Sequence, residues 1–298
     1  MLDYINTNTF RDMAHYVVMP NQNKPFISDI LRRNAIIYCK TDYTEYLFSN
    51  LKFSGRKYIL ITHSSDYSIE ERLFKLRPPC IIKWYAEFAK YIHPDLITIP
   101  AGLTPNKDLD KTWLDLDWFV DNIERLKSNT KDIKTLYCSW TIRNNVKKRS
   151  NVLQKLKNNN LEYIWDYPNF PNNIDELLQK ELQLLKEGKT TCKKFNELAC
   201  YYNYCENMSK YKFVIAPEGN GDGDTQRVWE ALYMGCFPVV LKNNVYREYA
   251  TELPIIQVKD YSEVTYDLLN SYLNREYNYE KLYMEYWKKR IIKEFEKL

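Results

Sequence analysis

Glycine is scarce in this chain, with seven residues in 298. Histidine is scarcer still: His15, His63 and His93 are the three, and they show no metal-ligand spacing. The seven cysteines (Cys39, Cys80, Cys138, Cys192, Cys200, Cys205 and Cys236) form no C-x-x-C pair, and their number is odd. A disulfide framework and a zinc site are therefore not expected, and a reducing compartment is the simplest reading. No apolar run approaches the roughly 18 residues of a membrane span. Met1 to Tyr4 supplies neither the basic nor the apolar region of a signal peptide. The expectation is a cytoplasmic enzyme, or a soluble catalytic segment of a larger protein. A net charge of +4 gives no general reason to bind nucleic acid. The short basic run Lys147-Lys148-Arg149 reads as a solvated helix face. Tyrosine is the one excess, with 26 copies; it suits carbohydrate stacking but also a biased genome.

Against that scarcity, three of the seven glycines fall within five positions, Gly219, Gly221 and Gly223. They lie in Lys212–Lys242, KFVIAPEGNGDGDTQRVWEALYMGCFPVVLK. Phe213–Ala216 has the dense, β-branched character of a buried strand, which Pro217 ends. The loop Glu218–Asp224 lets backbone come close to a ligand. Asp224 or Thr225 can N-cap the next helix, with Val228, Ala231 and Leu232 turned to a sheet. Gly235 stops that helix in a left-handed conformation, and Phe237–Leu241 is the next strand. Strand, glycine-rich loop, helix and strand form a βαβ unit, and its helix start is an anion site.

The residues FVIAPEGNG, followed by D-T-x-R-x-W-E-A-L-x-x-G-x-x-P-V-V, resemble the donor-binding motif of exostosin-like glycosyltransferases with the GT-B fold. A second stretch, ILITHSSDYSI with IIKWYAEFA and HPDLITIPAGL, is similar to the acceptor-side half of that family. The resemblance implies two Rossmann-like domains facing across a cleft, with a C-terminal helix crossing back to the first. It implies a UDP-linked sugar donor, a glycan acceptor and no cofactor or metal. A fucosyltransferase-like enzyme using GDP-fucose is the nearest variant.

Apolar runs along the chain agree with an α/β fold built on open, mostly parallel sheets. Strands are expected at Ala35–Cys39, Tyr58–Thr62, Ile81–Tyr85 and Leu96–Ile99. A helix over Trp113–Leu126 and a polar stretch at Ser128–Asp132 put the domain boundary there. Strands at Thr135–Trp140, Leu161–Trp165 and Pro254–Val258 join the βαβ unit. Helices are expected over residues 174–186 and 192–208. The domains are thus 1–130 on the acceptor side, 131–275 on the donor side, and 276–298 as the crossing helix, with Leu282, Trp287, Ile291 and Phe295 as packing positions.

A nucleotide-sugar donor leaves behind a diphosphate, whose growing charge must be bound. Arg227, in the first turn of the key helix, suits phosphate oxygens through its planar fork. Glu230 shares its helix face and is placed against the ribose hydroxyls. Glu218, Gly219, Asn220, Gly221 and Thr225 follow the strand's carboxyl end, where open sheets bind ligands. Ser139 and Arg143 stand at the equivalent end of the domain's first strand, with Lys148 or Arg149 behind. Asp222-x-Asp224 and Asp115-x-Asp117 have a metal-binding spacing too short to be distinctive, and no metal is expected. The acceptor proton needs a base from the first domain: Asp66 or His63, then Glu87. Trp84 and Tyr85 either stack on acceptor sugar or fill core. Inversion is favoured, because Glu218 and Glu230 are too far apart for the paired-glutamate spacing of retaining GT-B enzymes. The alternatives are a metal-dependent GT-A-type transferase and a non-catalytic glycan-binding module. The oligomeric state stays open.

Overall fold

The computed structural model describes residues 4–20, 33–52, 54–104, 116–140, 145–166 and 198–298. In chain order the elements are α1 (Thr7–Asp12), β1 (Tyr16–Val18), β2 (Ala35–Lys40), α2 (Thr44–Leu51), β3 (Tyr58–His63), α3 (Glu71–Lys75), β4 (Ile81–Ala86) and β5 (Leu96–Thr98). Then come α4 (Leu116–Ser128), β6 (Asp132–Cys138), α5 (Val146–Asn158), β7 (Tyr163–Trp165), α6 (Leu198–Met208), β8 (Tyr211–Ile215) and α7 (Gln226–Tyr233). β9 (Phe237–Leu241), β10 (Ile256–Val258), α8 (Tyr266–Leu273) and α9 (Met284–Phe295) complete the series.

The strands form two five-stranded parallel sheets, in the orders β1-β2-β3-β4-β5 and β10-β9-β8-β6-β7. Parallel strands covered on both faces must be apolar throughout. β3 follows this from Tyr58 to Ile61, and the polar pair at its carboxyl end, Thr62 and His63, is buried as well. Two parallel-sheet lobes were the architecture expected from the sequence. The second sheet reverses its winding between β6 and β8, and ligands of open sheets bind beyond the strand ends at such a reversal. Ser139 follows β6 there, and the loop from Ala216 follows β8.

α9 crosses from the second lobe to the first, as anticipated. Arg290 pairs with Glu248 at 2.8 Å, while the Phe295 ring lies 4.9 Å from that of His15. Asn34 Nδ2 donates to the Leu298 carbonyl at 3.0 Å. Leu282, Trp287 and Ile291 are buried and Phe295 is half-buried. α4, which the sequence assigns to the first domain, packs on α6 of the second lobe: Trp118 stacks on Tyr202 at 4.2 Å and Arg125 pairs with Glu206. The largest buried cluster accordingly runs through both lobes, from Ile59 and Ile61 to Val214 and Val240.

Trp84 and Tyr85 are 0% and 1% exposed, so they fill core. Cys39, Cys80, Cys138, Cys205 and Cys236 are free and buried. Among the described residues no helix is long and apolar enough to cross a membrane. Arg143, Asp115, Trp113 and the expected helix over 174–186 lie outside the described residues.

Candidate functional site

The start of α7 is where sequence and structure converge. The helix is short but almost wholly buried from Val228 to Tyr233, because its apolar positions face β8 and β9 and its aromatic ones face the interlobe core. Gly235 ends it at φ +74°, the left-handed conformation anticipated from its residue type. Thr225 is the N-cap, yet its hydroxyl caps nothing. Its Oγ1 is buried without a hydrogen-bond partner among the described residues, and so is the Nε of Arg227. Buried polar atoms are seldom left unpaired, so two at one helix start need an explanation. Arg227 lies near the end of β6. Burial pushes the Cys138 thiol and the Tyr204 phenol up, and the Arg227 charge opposes both shifts.

Glu230 is differently employed. It is 3% exposed. Its Oε1 accepts from Tyr201 at 3.1 Å and from Gln226 Nε2 at 2.5 Å, and its Oε2 accepts from Tyr204 at 2.8 Å. Both carboxylate oxygens are thus bonded within the protein. α6 carries the two tyrosines, so Glu230 ties α7 to α6, a role that its spacing from Arg227 does not reveal.

The glycine-rich loop runs along the seam between the lobes. Glu218 Oε2 accepts from Lys148 at 2.6 Å, and the Glu218 carbonyl accepts from Arg149 Nε at 2.8 Å. Asn145 Nδ2 reaches the Gly219 carbonyl at 2.8 Å. Asn220 is exposed. A Cβ at Gly221 would meet the Phe88 ring of the first lobe at 2.8 Å, so any larger residue there would have to push that ring aside. Asp222 accepts from Lys148 and from Lys90, each at 2.8 Å, and Ser68 Oγ lies 3.4 Å away. These contacts with Lys148 and Lys90 pull its carboxyl down to about 2. Asp224 accepts from Ala101 N–H at 2.9 Å, Trp229 Nε1 at 2.8 Å, Tyr249 OH at 3.0 Å and Thr225 N–H at 2.8 Å. Burial pushes its carboxyl up to about 6. Asp222-x-Asp224 is therefore a pair of interlobe fasteners, with its oxygens already bonded. Among the described residues no group of His, Cys, Asp and Glu side chains is placed to hold a metal ion. Ser139 is buried at the end of β6, beside Tyr137.

In the first lobe β3 and β4 run parallel and end side by side, which brings His63 and Glu87 together. His63 Nδ1 lies 3.1 Å from Glu87 Oε2, and Nε2 lies 3.1 Å from the Pro100 carbonyl. Ser64 N–H lies 2.8 Å from His63 Nδ1, so that nitrogen faces both a donor and the Glu87 carboxylate. Ser64 N–H also donates to Glu87 Oε2 at 2.8 Å, from a left-handed backbone at φ +64°. That conformation is uncommon away from glycine and worth noting beside a site. Glu87 is 7% exposed, and its charge reaches across the seam, adding to the rise at Asp224. Asp66 stands apart, exposed on the loop beyond. The parallel register of neighbouring strands is the signal that could have joined Glu87 to His63. Lys90 and Phe88 were not legible, because their partners lie in the other lobe.

Residues 170–297 match the family model described as glycosyltransferase family 10 (fucosyltransferase), C-terminal. This is the family of the fucosyltransferase variant, not the exostosin-like family that the motif resembles. No curated protein matches the sequence. The fold is similar to an α,α-trehalose-phosphate synthase (UDP-forming) from Burkholderia vietnamiensis, with a TM-score of 0.45 and 8% identity, covering 88% of this chain and 74% of that one. It is also similar to AviGT4, a glycosyltransferase involved in avilamycin A biosynthesis, with a TM-score of 0.37 and 9% identity, covering 95% of this chain and 96% of that one. The family match, which contains α7 and its loop, supports a glycosyltransferase.

Proposed function

We propose that the protein transfers fucose from GDP-fucose to a glycan hydroxyl, with inversion and without a metal ion. The observation that carries this reading is the start of α7. There Arg227 and Thr225 hold buried polar atoms that find no partner among the described residues, at a positive helix end, inside the fucosyltransferase-matched region. A diphosphate seated there satisfies both side chains. Lys148 adds a second cation beside the loop. Arginine and amide groups then stabilise the departing nucleotide in the role a metal plays elsewhere.

The match to a fucosyltransferase family favours guanosine over the uridine diphosphate that the exostosin-like resemblance implies. Glu87 is the proposed base, with His63 orienting it from one side and Ser64 N–H from the other. This follows the general rule that a reacting group is held by a third residue. Exposed Asp66 lacks that support.

Calorimetric titration with GDP and with UDP, both in EDTA, tests the reading. GDP is expected to bind wild type, and Arg227→Ala to weaken it by about tenfold to a hundredfold without lowering the melting temperature. Absence of binding by either nucleotide removes the proposal, and binding that EDTA abolishes turns it toward a metal-dependent transferase.

A further inference from the structure

We propose that Tyr67 is the platform on which a sugar ring of the acceptor stacks, with Asp66 accepting hydrogen bonds from its hydroxyls. This rests on the glycosyltransferase reading above and adds the acceptor subsite to it. A single exposed aromatic is ordinary on a protein surface. Tyr67 differs in its place and its support. At 64% exposure it is the most solvent-open of the exposed tyrosines among the described residues, against 42% for Tyr46 and 41% for Tyr279.

It lies on the loop that leaves β3, between the His63–Glu87 pair and the interlobe contact of Ser68 with Asp222. The backbone around it is pinned on both sides. Tyr67 N–H donates to Ser65 Oγ at 3.2 Å, Ser64 N–H is held by Glu87, and buried Ile69 bridges to Ala89. An exposed ring on a fixed backbone loses little freedom when a ligand covers it. Its flat apolar face suits the C–H face of a pyranose, and its hydroxyl stays wet. Asp66, adjacent and exposed, supplies an acceptor for sugar hydroxyls. A sugar stacked here lies on the same strand-end loop as Ser64, which Glu87 holds, and so on the first-lobe side of the seam.

The test is a printed array of neutral oligosaccharides, probed with the full chain as wild type, Tyr67→Ala, Tyr67→Trp and Tyr46→Ala. Wild type is expected to retain a subset of glycans, and Tyr67→Ala to lose about tenfold in apparent affinity for them. Tyr67→Trp restores retention, and Tyr46→Ala, at an exposed tyrosine outside the site, leaves it unchanged. Equal retention by Tyr67→Ala and wild type overturns the platform, as does a wild type that retains no glycan. GDP titration of the same four proteins keeps the two ideas separate: failed nucleotide binding with Tyr67-dependent glycan binding sinks the transferase reading alone.

Discussion

Asp222 Oδ2 and Lys90 Nζ lie 2.8 Å apart and belong to different lobes. Lys148 approaches the other oxygen of Asp222 at the same distance, so one carboxylate holds a cation from each side of the cleft. The Asp222 pKa is depressed to about 2. Its contribution to stability is therefore present above the unfolded value of about 3.9 and lost as pH falls toward 2. The side chains are 31% and 39% exposed, so solvent screening limits the effect. Asp222→Asn is expected to cost about 1 kcal/mol at neutral pH and low salt, and less in about 0.5 M salt. Urea midpoints measured from about pH 2 to pH 7 check this: the wild-type advantage over the variant should vanish at the acid end.

Asp224 is expected to behave in the opposite sense. Burial raises its carboxyl to about 6, above the unfolded value, so the folded state binds the extra proton between about pH 4 and pH 6. Stability from this group falls as pH rises through that window and is level on either side. The difference amounts to at most about 3 kcal/mol. In Asp224→Asn the slope in that window should disappear. Asp224→Ala leaves Ala101 N–H, Trp229 Nε1 and Tyr249 OH without their acceptor, and should cost about 3 kcal/mol or more. A pH slope that survives in the Asn variant means another group carries it.

For Glu230 the structure changes the expected phenotype. Sequence spacing suggests a ribose ligand whose loss leaves the fold intact. With Tyr201, Tyr204 and Gln226 all donating to it, Glu230→Ala should destabilise the protein by about 2–4 kcal/mol. The Arg227→Ala variant should not. Urea unfolding and GDP titration of Glu230→Gln decide the point. Native stability with lost GDP binding restores the ribose role; lowered stability with near-native GDP binding assigns the residue to the α6–α7 joint.

These outcomes trace what a sequence can carry. β3, β4, β8 and β9 were legible because buried parallel strands are continuous apolar runs, a local property. The end of α7 was legible because Gly235 alone tolerates its backbone. β1 is absent from the strands expected above, since its three residues hold too little pattern. The fate of Asp222 and Asp224 was not local at all. Their decisive partners, Lys90 and Ala101, lie 132 and 123 residues away, and the same short motif serves equally as a metal ligand until those partners are known. Arg227 lies between these cases: helix position suggested its proposed role, and its Nε is buried with no partner among the described residues.

Glu87 offers the sharpest test of the chemistry. It sits at the carboxyl end of β4 with His63 at 3.1 Å and Ser64 N–H at 2.8 Å, on the first-lobe side of the seam. If it takes the acceptor proton, Glu87→Gln should lower kcat by about a hundredfold to a thousandfold while GDP affinity stays near wild type. The amide retains the shape and an acceptor for Ser64 N–H, but cannot take up a proton. Asp66→Asn, removing an exposed carboxylate from the same loop, should leave kcat nearly unchanged and raise acceptor KM. His63→Gln should fall between them, because it keeps the base but loosens its orientation. Nucleotide release from GDP-fucose, measured with and without acceptor, separates the steps. Loss of activity in Asp66→Asn with full activity in Glu87→Gln would move the base to the exposed loop and leave the buried pair as a strand-end fastener.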